Sequence, residues 1–119
     1  MLKMNEDLEG ALEKYYELMQ KGAFFEAHEV LEEAWHPLRL RQDPLANLVK
    51  GFINAAIALE HLKRARPQSQ QRAKRVVASY YRHAHLLTPT IRHASLFQKA
   101  DTYIAKQLAL HQLHIPSNT

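Results

Sequence analysis

The sequence contains no cysteine. That excludes a disulfide framework, cysteine-based zinc sites and thiol nucleophiles, and it fits a reducing, cytoplasmic setting. Glycine is scarce, at three residues, and there is no glycine-rich phosphate loop of the P-loop kind. No apolar run approaches the ~20 residues that span a bilayer. The stretch from Phe52 to Leu59 is interrupted by Asn54 and flanked by Lys50 and Glu60, so no membrane association is expected. The opening MLKMNEDLEG is acidic and lacks the apolar core of a secretory signal, so none is expected. Internal repeats, low-complexity segments and convincing strand patterns are also missing.

What remains is an ordinary globular balance. Of 119 residues, 46% are apolar and 24% are charged, which argues against disorder. A chain of this length buries about two-thirds of the surface its unfolded form exposes, enough for one domain over residues 1–119. Abundant Ala, Leu, Gln, Glu, Lys and Arg favour helix.

The punctuation divides the chain into about five helices. Asn5 is a candidate N-cap for a first helix carrying Leu8, Leu12, Tyr15 and Met19, which Lys21-Gly22 ends. A second helix runs from about Ala23 to His36, where Pro37 disfavours helical geometry. Asp43-Pro44 reads as an N-cap followed by a first-turn proline, opening a third helix to about Arg64. Pro67 precedes a fourth, about Ser69 to Leu87, with Ala73, Val76, Val77, Tyr80, Ala84 and Leu87 as its buried stripe. Thr88-Pro89 starts a short turn into a last helix, about Ser95 to Leu113, with Phe97, Ala100, Ile104, Leu108 and His111 on one stripe, and residues 116–119 form a frayed tail. Short connections between successive helices predict an all-α bundle. The third helix is apolar nearly all round and belongs at its centre.

Charge is distributed unevenly. Residues 1–36 hold three lysines and nine acids, net −6; residues 37–92 hold eleven Lys/Arg and two acids, net +9. The simplest expectation is an acidic helical hairpin lying against basic helices. A nucleic-acid face on the basic segment 63–82, with Tyr80 and Tyr81 beside Arg75 and Arg82, is the weaker alternative. The segment carries no recognition motif, and Tyr80 falls on the core stripe.

The chemistry-bearing residues sit in FFEAHEVLEEAW, Phe24 to Trp35. On a wheel advancing about 100° per residue from Phe24, Leu31 falls near 340°, Trp35 near 20° and Phe25 near 100°. His28, near 40°, and Glu32, near 80°, lie inside that core-facing arc, whereas Glu29 falls outside it. A solitary buried carboxylate is costly, so Glu32 needs a partner. The third helix offers Asn54 and His61, nearly superimposed in projection, with Gly51 permitting close helix approach.

Together, FFEAHEVLEEAW and GFINAAIALEHL resemble the family called domain of unknown function 309, small all-helical prokaryotic proteins with an F-x-x-A-H-E-x-L-E-x-x-W signature and a later G-x-I-Q-x-A-x-x-x-x-H helix. The resemblance spans about residues 8 to 80 and rests on Phe25, Glu26, Ala27, His28, Glu29, Leu31, Glu32 and Trp35, then Gly51, Ile53, Ala55 and His61. Asn54 stands where the family usually has Gln. The resemblance implies the fold and the pairing of the two helices, and it implies no reaction.

The residues therefore favour a binding or scaffold module with a buried polar cluster of His28, Glu32, Asn54 and His61, flanked by Glu29 and Trp35. The alternative is a metal-dependent, hydrolase-like enzyme in which His28, Glu32 and His61 hold a divalent zinc or iron and leave a position open. Glu29 would then stand where H-E-x-x-H places its general base. Whether the protein is an enzyme is left open by the residues. A homodimer is the commonest oligomer for such a chain.

Overall fold

The computed structural model describes residues 7–111. These form α1 (Leu8–Gln20), α2 (Phe24–Leu40), α3 (Ala46–Arg64), α4 (Ser69–His83), a 3₁₀ turn (Ala84–Leu86) and α5 (Ala94–Leu110). The all-α expectation is met, with no strand among the described residues. No helix among them is long and apolar enough to cross a membrane.

Each boundary has a local cause. Asp7 caps α1, its carboxylate accepting the Glu9 N–H at 3.2 Å; the expected cap Asn5 lies outside the described residues. Gly22, at φ 76°, ends α1 in a left-handed turn. Its N–H donates to the Met19 carbonyl at 3.0 Å and the Ala23 N–H to Leu18 at 2.9 Å, the paired bonds of a Schellman motif.

The second helix passes through Pro37 and ends at Leu40, a turn later than expected. Proline removes one N–H, and the carbonyl it deprives belongs to Glu33, an exposed residue where water can substitute. Leu38, 2% exposed, anchors the extra turn in the core.

Asp43 precedes the cap of α3 rather than forming it: Leu45 occupies the cap, and Asp43 accepts the Leu45 N–H at 2.9 Å. The same carboxylate takes Arg92 at 2.9 Å and Arg41 at 3.5 Å, tying the α2–α3 turn to the segment before α5. Its side chain is 7% exposed. Burial opposes ionisation, but the Leu45 N–H and the two guanidiniums outweigh it and hold the carboxyl below its ordinary value. A depressed carboxylate pKa gives stability that is complete above the unfolded value and is lost as pH falls through the folded one. Asp43→Asn is therefore expected to cost about 1.5–3 kcal/mol at neutral pH, a gap that closes in urea titrations below the carboxylate range.

At its C-terminal end α4 is shorter than expected, stopping at His83, and Ala84–Leu86 tighten into the 3₁₀ turn. Pro89 bars helical geometry at Thr88, and Leu87 bonds back to Ala84 at 3.0 Å. Of the expected stripe, Ala73, Val77 and Tyr80 are buried, whereas Val76, Ala84 and Leu87 are half-buried. On α5, Phe97, Ala100, Ile104 and Leu108 are buried, but His111 is exposed.

The centre of the bundle is α3. Its buried residues include Leu48, Val49, Phe52, Ala55, Ala56 and Leu59. Phe52 sits among Tyr15, Tyr80 and Phe97, with ring centroids at 6.2, 5.8 and 5.4 Å. The buried Tyr15 hydroxyl donates to the Phe52 carbonyl at 2.6 Å, and that of Tyr80 donates to the Asp101 carboxylate, fixing α5 to α4. Gly51 sets the α3–α4 distance, because a Cβ there would lie 3.1 Å from Tyr80 Cα and 3.3 Å from the Ser79 carbonyl oxygen. The close approach is thus to α4. Both α2 and α4 pack on α3 but form no comparable interface with each other.

Candidate functional site

Helices α2 and α3 run antiparallel. Late in α2, Trp35 meets Lys50 from early α3, with the ammonium 4.4 Å from the ring centroid. Early in α2, Phe25 and His28 meet Ile57, Glu60, His61 and Arg64 from late α3, and these six residues line a cleft of about 250 Å³.

The tautomer of His28 follows from its bonds. Its Nδ1 lies 2.7 Å from the Phe25 carbonyl oxygen. A carbonyl can only accept, so Nδ1 carries the proton. Nε2 then faces Glu32 Oε1 at 3.6 Å, at ion-pair range and too long for a good hydrogen bond. The Phe25 ring stands edge-on to the imidazole, centroids 5.0 Å apart, and remains 47% exposed.

The opposite wall carries His61. Burial, then the nearby charges of Arg72 and Arg64, depress its pKa against the smaller opposing effect of Glu60, so the ring is mainly neutral at pH 7. Arg64 and Glu60 neutralise each other through a 2.8 Å pair. The cleft therefore offers apolar and aromatic surface, two imidazoles and little net charge.

The sequence-derived residues are only partly brought together. His28 and His61 share the cleft, and Glu32 approaches His28 from its rim with a side chain 39% exposed. Asn54 is half-buried and does not line the cleft; Glu29 is exposed. Trp35 lies toward the other end of the helix pair, its ring flanked by Lys50 and by Arg39, whose guanidinium is 5.2 Å from the centroid.

The expected four-residue cluster fails to assemble because a wheel discards height. Asn54 and His61 coincide in projection, yet seven residues separate them by ~10.5 Å along the axis. Among the described residues, no group of three or more His, Asp or Glu is placed to hold a metal ion, so the expected His28, Glu32 and His61 set is not drawn into one coordination sphere.

Four lining residues were missed from sequence: Phe25, Ile57, Glu60 and Arg64. Two left a signal. Glu60 and Arg64 have the i, i+4 spacing of a helical ion pair, and Phe25 stands at the edge of the apolar arc, where a ring is only partly covered.

An uncharacterized protein of Aquifex aeolicus (strain VF5) is 42% identical over 48 residues, 40% of this chain. The match spans 14% of that relative's length. No solved structure matches the chain. The model of the family described as domain of unknown function (DUF309) matches residues 12–73, a span that takes in both walls of the α2–α3 cleft, and the chain belongs to that family.

Proposed function

We propose that the protein is a small-molecule binding module whose site is the α2–α3 cleft. The observation that carries this reading is the meeting of two imidazoles from different helices beside an exposed Phe25 ring on one concave wall. Binding sites characteristically combine apolar and aromatic walls with a few oriented polar groups. Phe25 and Ile57 supply the former; His28, fixed by a backbone carbonyl, and a mainly neutral His61 supply the latter. The volume lies just below the ~300 Å³ lower end of ligand sites, so the ligand is small. The paired Glu60 and Arg64 leave no strong field for an ion, which favours a flat, mostly apolar compound with one hydrogen-bonding group.

Screening a library of small aromatic compounds by protein-observed NMR tests this. Hits are expected to shift Phe25, His28, Ile57 and His61 together, with Kd near or below about 1 mM. Phe25→Ala and His61→Ala should each weaken binding at least several-fold, while the exposed Glu29→Ala should not. Hits scattered over the surface, or unaffected by either cleft variant, would exclude the site.

The metal reading has one observation in its favour. A backbone carbonyl anchoring Nδ1 is the arrangement that orients a metal-bound histidine through Nε2, and Nε2 faces Glu32. Metal analysis of tag-free protein decides it: near-stoichiometric zinc or iron, released by His28→Ala, is the required result.

A further inference from the structure

From His61 to Ala100 the sequence contains no acidic residue, yet it carries Lys63, Arg64, Arg66, Arg72, Lys74, Arg75, Arg82, Arg92 and Lys99. Lys63 and Lys99 lie against the acidic hairpin, Lys63 donating to the Gly22 carbonyl at 2.8 Å and Lys99 standing 4.7 Å from the Tyr16 ring centroid, yet among the described residues no ion pair joins the hairpin to this basic segment. The ion pairs of Arg41, Arg64 and Arg92 are with Asp43 or Glu60, and those of Lys14 and Lys21 are with Glu17 inside the first turn-and-helix unit. Among the described residues, the cations of α4 have no carboxylate within ion-pair distance, and Arg72 hydrogen-bonds to the Gln68 amide oxygen at 3.2 Å.

The fold explains the separation. Helix α4 packs on α3 through Ala73, Val77 and Tyr80, and forms no comparable interface with α1 or α2. On a wheel of ~100° per residue, Arg72, Arg75 and Arg82 fall within about 80° of one another, opposite that buried stripe. All three are exposed, as is Gln71 beside them. The row extends ~15 Å along the helix. No aromatic side chain interrupts it, since Tyr80 is buried beneath.

We infer that the solvent face of α4, built on Arg72, Arg75 and Arg82, is a binding surface for the phosphate backbone of double-stranded nucleic acid, read without base specificity. A line of guanidiniums with an amide at its N-terminal end matches a line of phosphates, because arginine pairs phosphate oxygens bidentately and glutamine donates to phosphate and sugar. The lack of exposed rings on the row argues for a duplex over an unstacked single strand. None of the three arginines lines the cleft proposed above, although Arg72 is near His61.

Fluorescence anisotropy with a labelled duplex of about 20 base pairs, titrated with the full chain from about 50 to 200 mM salt, tests the proposal. Three phosphate contacts predict that log K falls with log salt at a slope of about −3. The triple variant Arg72→Gln, Arg75→Gln, Arg82→Gln should lose at least ten-fold in affinity at the lower salt, with most of the slope. A control triple with the same change in charge, Lys14→Gln, Lys99→Gln, Lys106→Gln, should stay within about two-fold, and both triples should melt like the parent because the altered groups are on the surface. Equal losses in the two triples would mean attraction by net charge alone and would overturn the inference. So would absence of parent binding at the lower salt, or retention of the protein on phosphatidylserine vesicles without duplex binding.

Discussion

Ala55→Arg is expected to abolish cooperative folding. Ala55 is 0% exposed, on the helix that packs against α2, α4 and α5 and accepts the Tyr15 hydroxyl of α1. An arginine there brings a charge into the hydrophobic core, at a cost of several kcal/mol after relaxation. It also adds bulk to a packed interior, worth a further ~1–3 kcal/mol. The sum rivals the ~5–15 kcal/mol that holds a typical domain folded. Circular dichroism should show loss of the sharp thermal transition. Far-ultraviolet signal and melting temperature within a few degrees of the parent would mean that α3 is not the central helix.

The second large effect is expected at Gly51, and there the comparison of two substitutions is informative. Alanine in a helix interior is favoured over glycine by ~0.5–1 kcal/mol. Against this, the new Cβ meets Tyr80 Cα at 3.1 Å and the Ser79 oxygen at 3.3 Å. Both are backbone atoms that cannot rotate away, so α4 itself must retreat. Overpacking of that kind costs ~1–3 kcal/mol, leaving Gly51→Ala near neutral or destabilised by about 2 kcal/mol. Gly51→Val adds two methyl groups at the same contact and loses part of the propensity gain, so about 3 kcal/mol or more is expected. Displacement of α4 would also disturb the Tyr80–Asp101 bond and the packing of Tyr80 on Phe52. Urea unfolding of the two variants beside the parent measures this. A valine variant with the parent's midpoint would refute close α3–α4 packing as the role of Gly51.

These sites show what could be read from the residues alone. The all-round apolar pattern identified α3 as central, since only a helix covered on most sides needs it. The turn at Gly22 was legible because a left-handed helix end is a property of a few adjacent residues. The inward flank of His28 followed from helical periodicity. Interactions between elements were less accessible. A wheel shows that Gly51 lacks a side chain but not that Tyr80 faces it. It superimposes Asn54 on His61 although the axis separates them. Pro37 reads as a stop because local propensity ignores the core anchor that Leu38 provides two residues before the helix ends. Residues of the cleft such as Ile57 and Arg64 acquire meaning only when α2 is set against α3.

The lack of ion pairs between the acidic hairpin and α4 bears on how the molecule meets a charged support. A sequence pI of about 9.5 suggests a simple cation that an anion-exchange resin would reject. That number averages over surfaces which the fold keeps apart. Glu26, Glu29 and Glu33 are exposed on α2, while Arg72, Arg75 and Arg82 are exposed on α4. At an ionic strength of about 0.1 M, where the Debye length of ~10 Å is shorter than the smallest extent of the molecule, 23 Å, each resin samples the nearer surface more strongly than the total. The protein should consequently adhere to cation exchangers through α4 and be retarded on anion exchangers through α2, two retention modes that a single isoelectric value conceals.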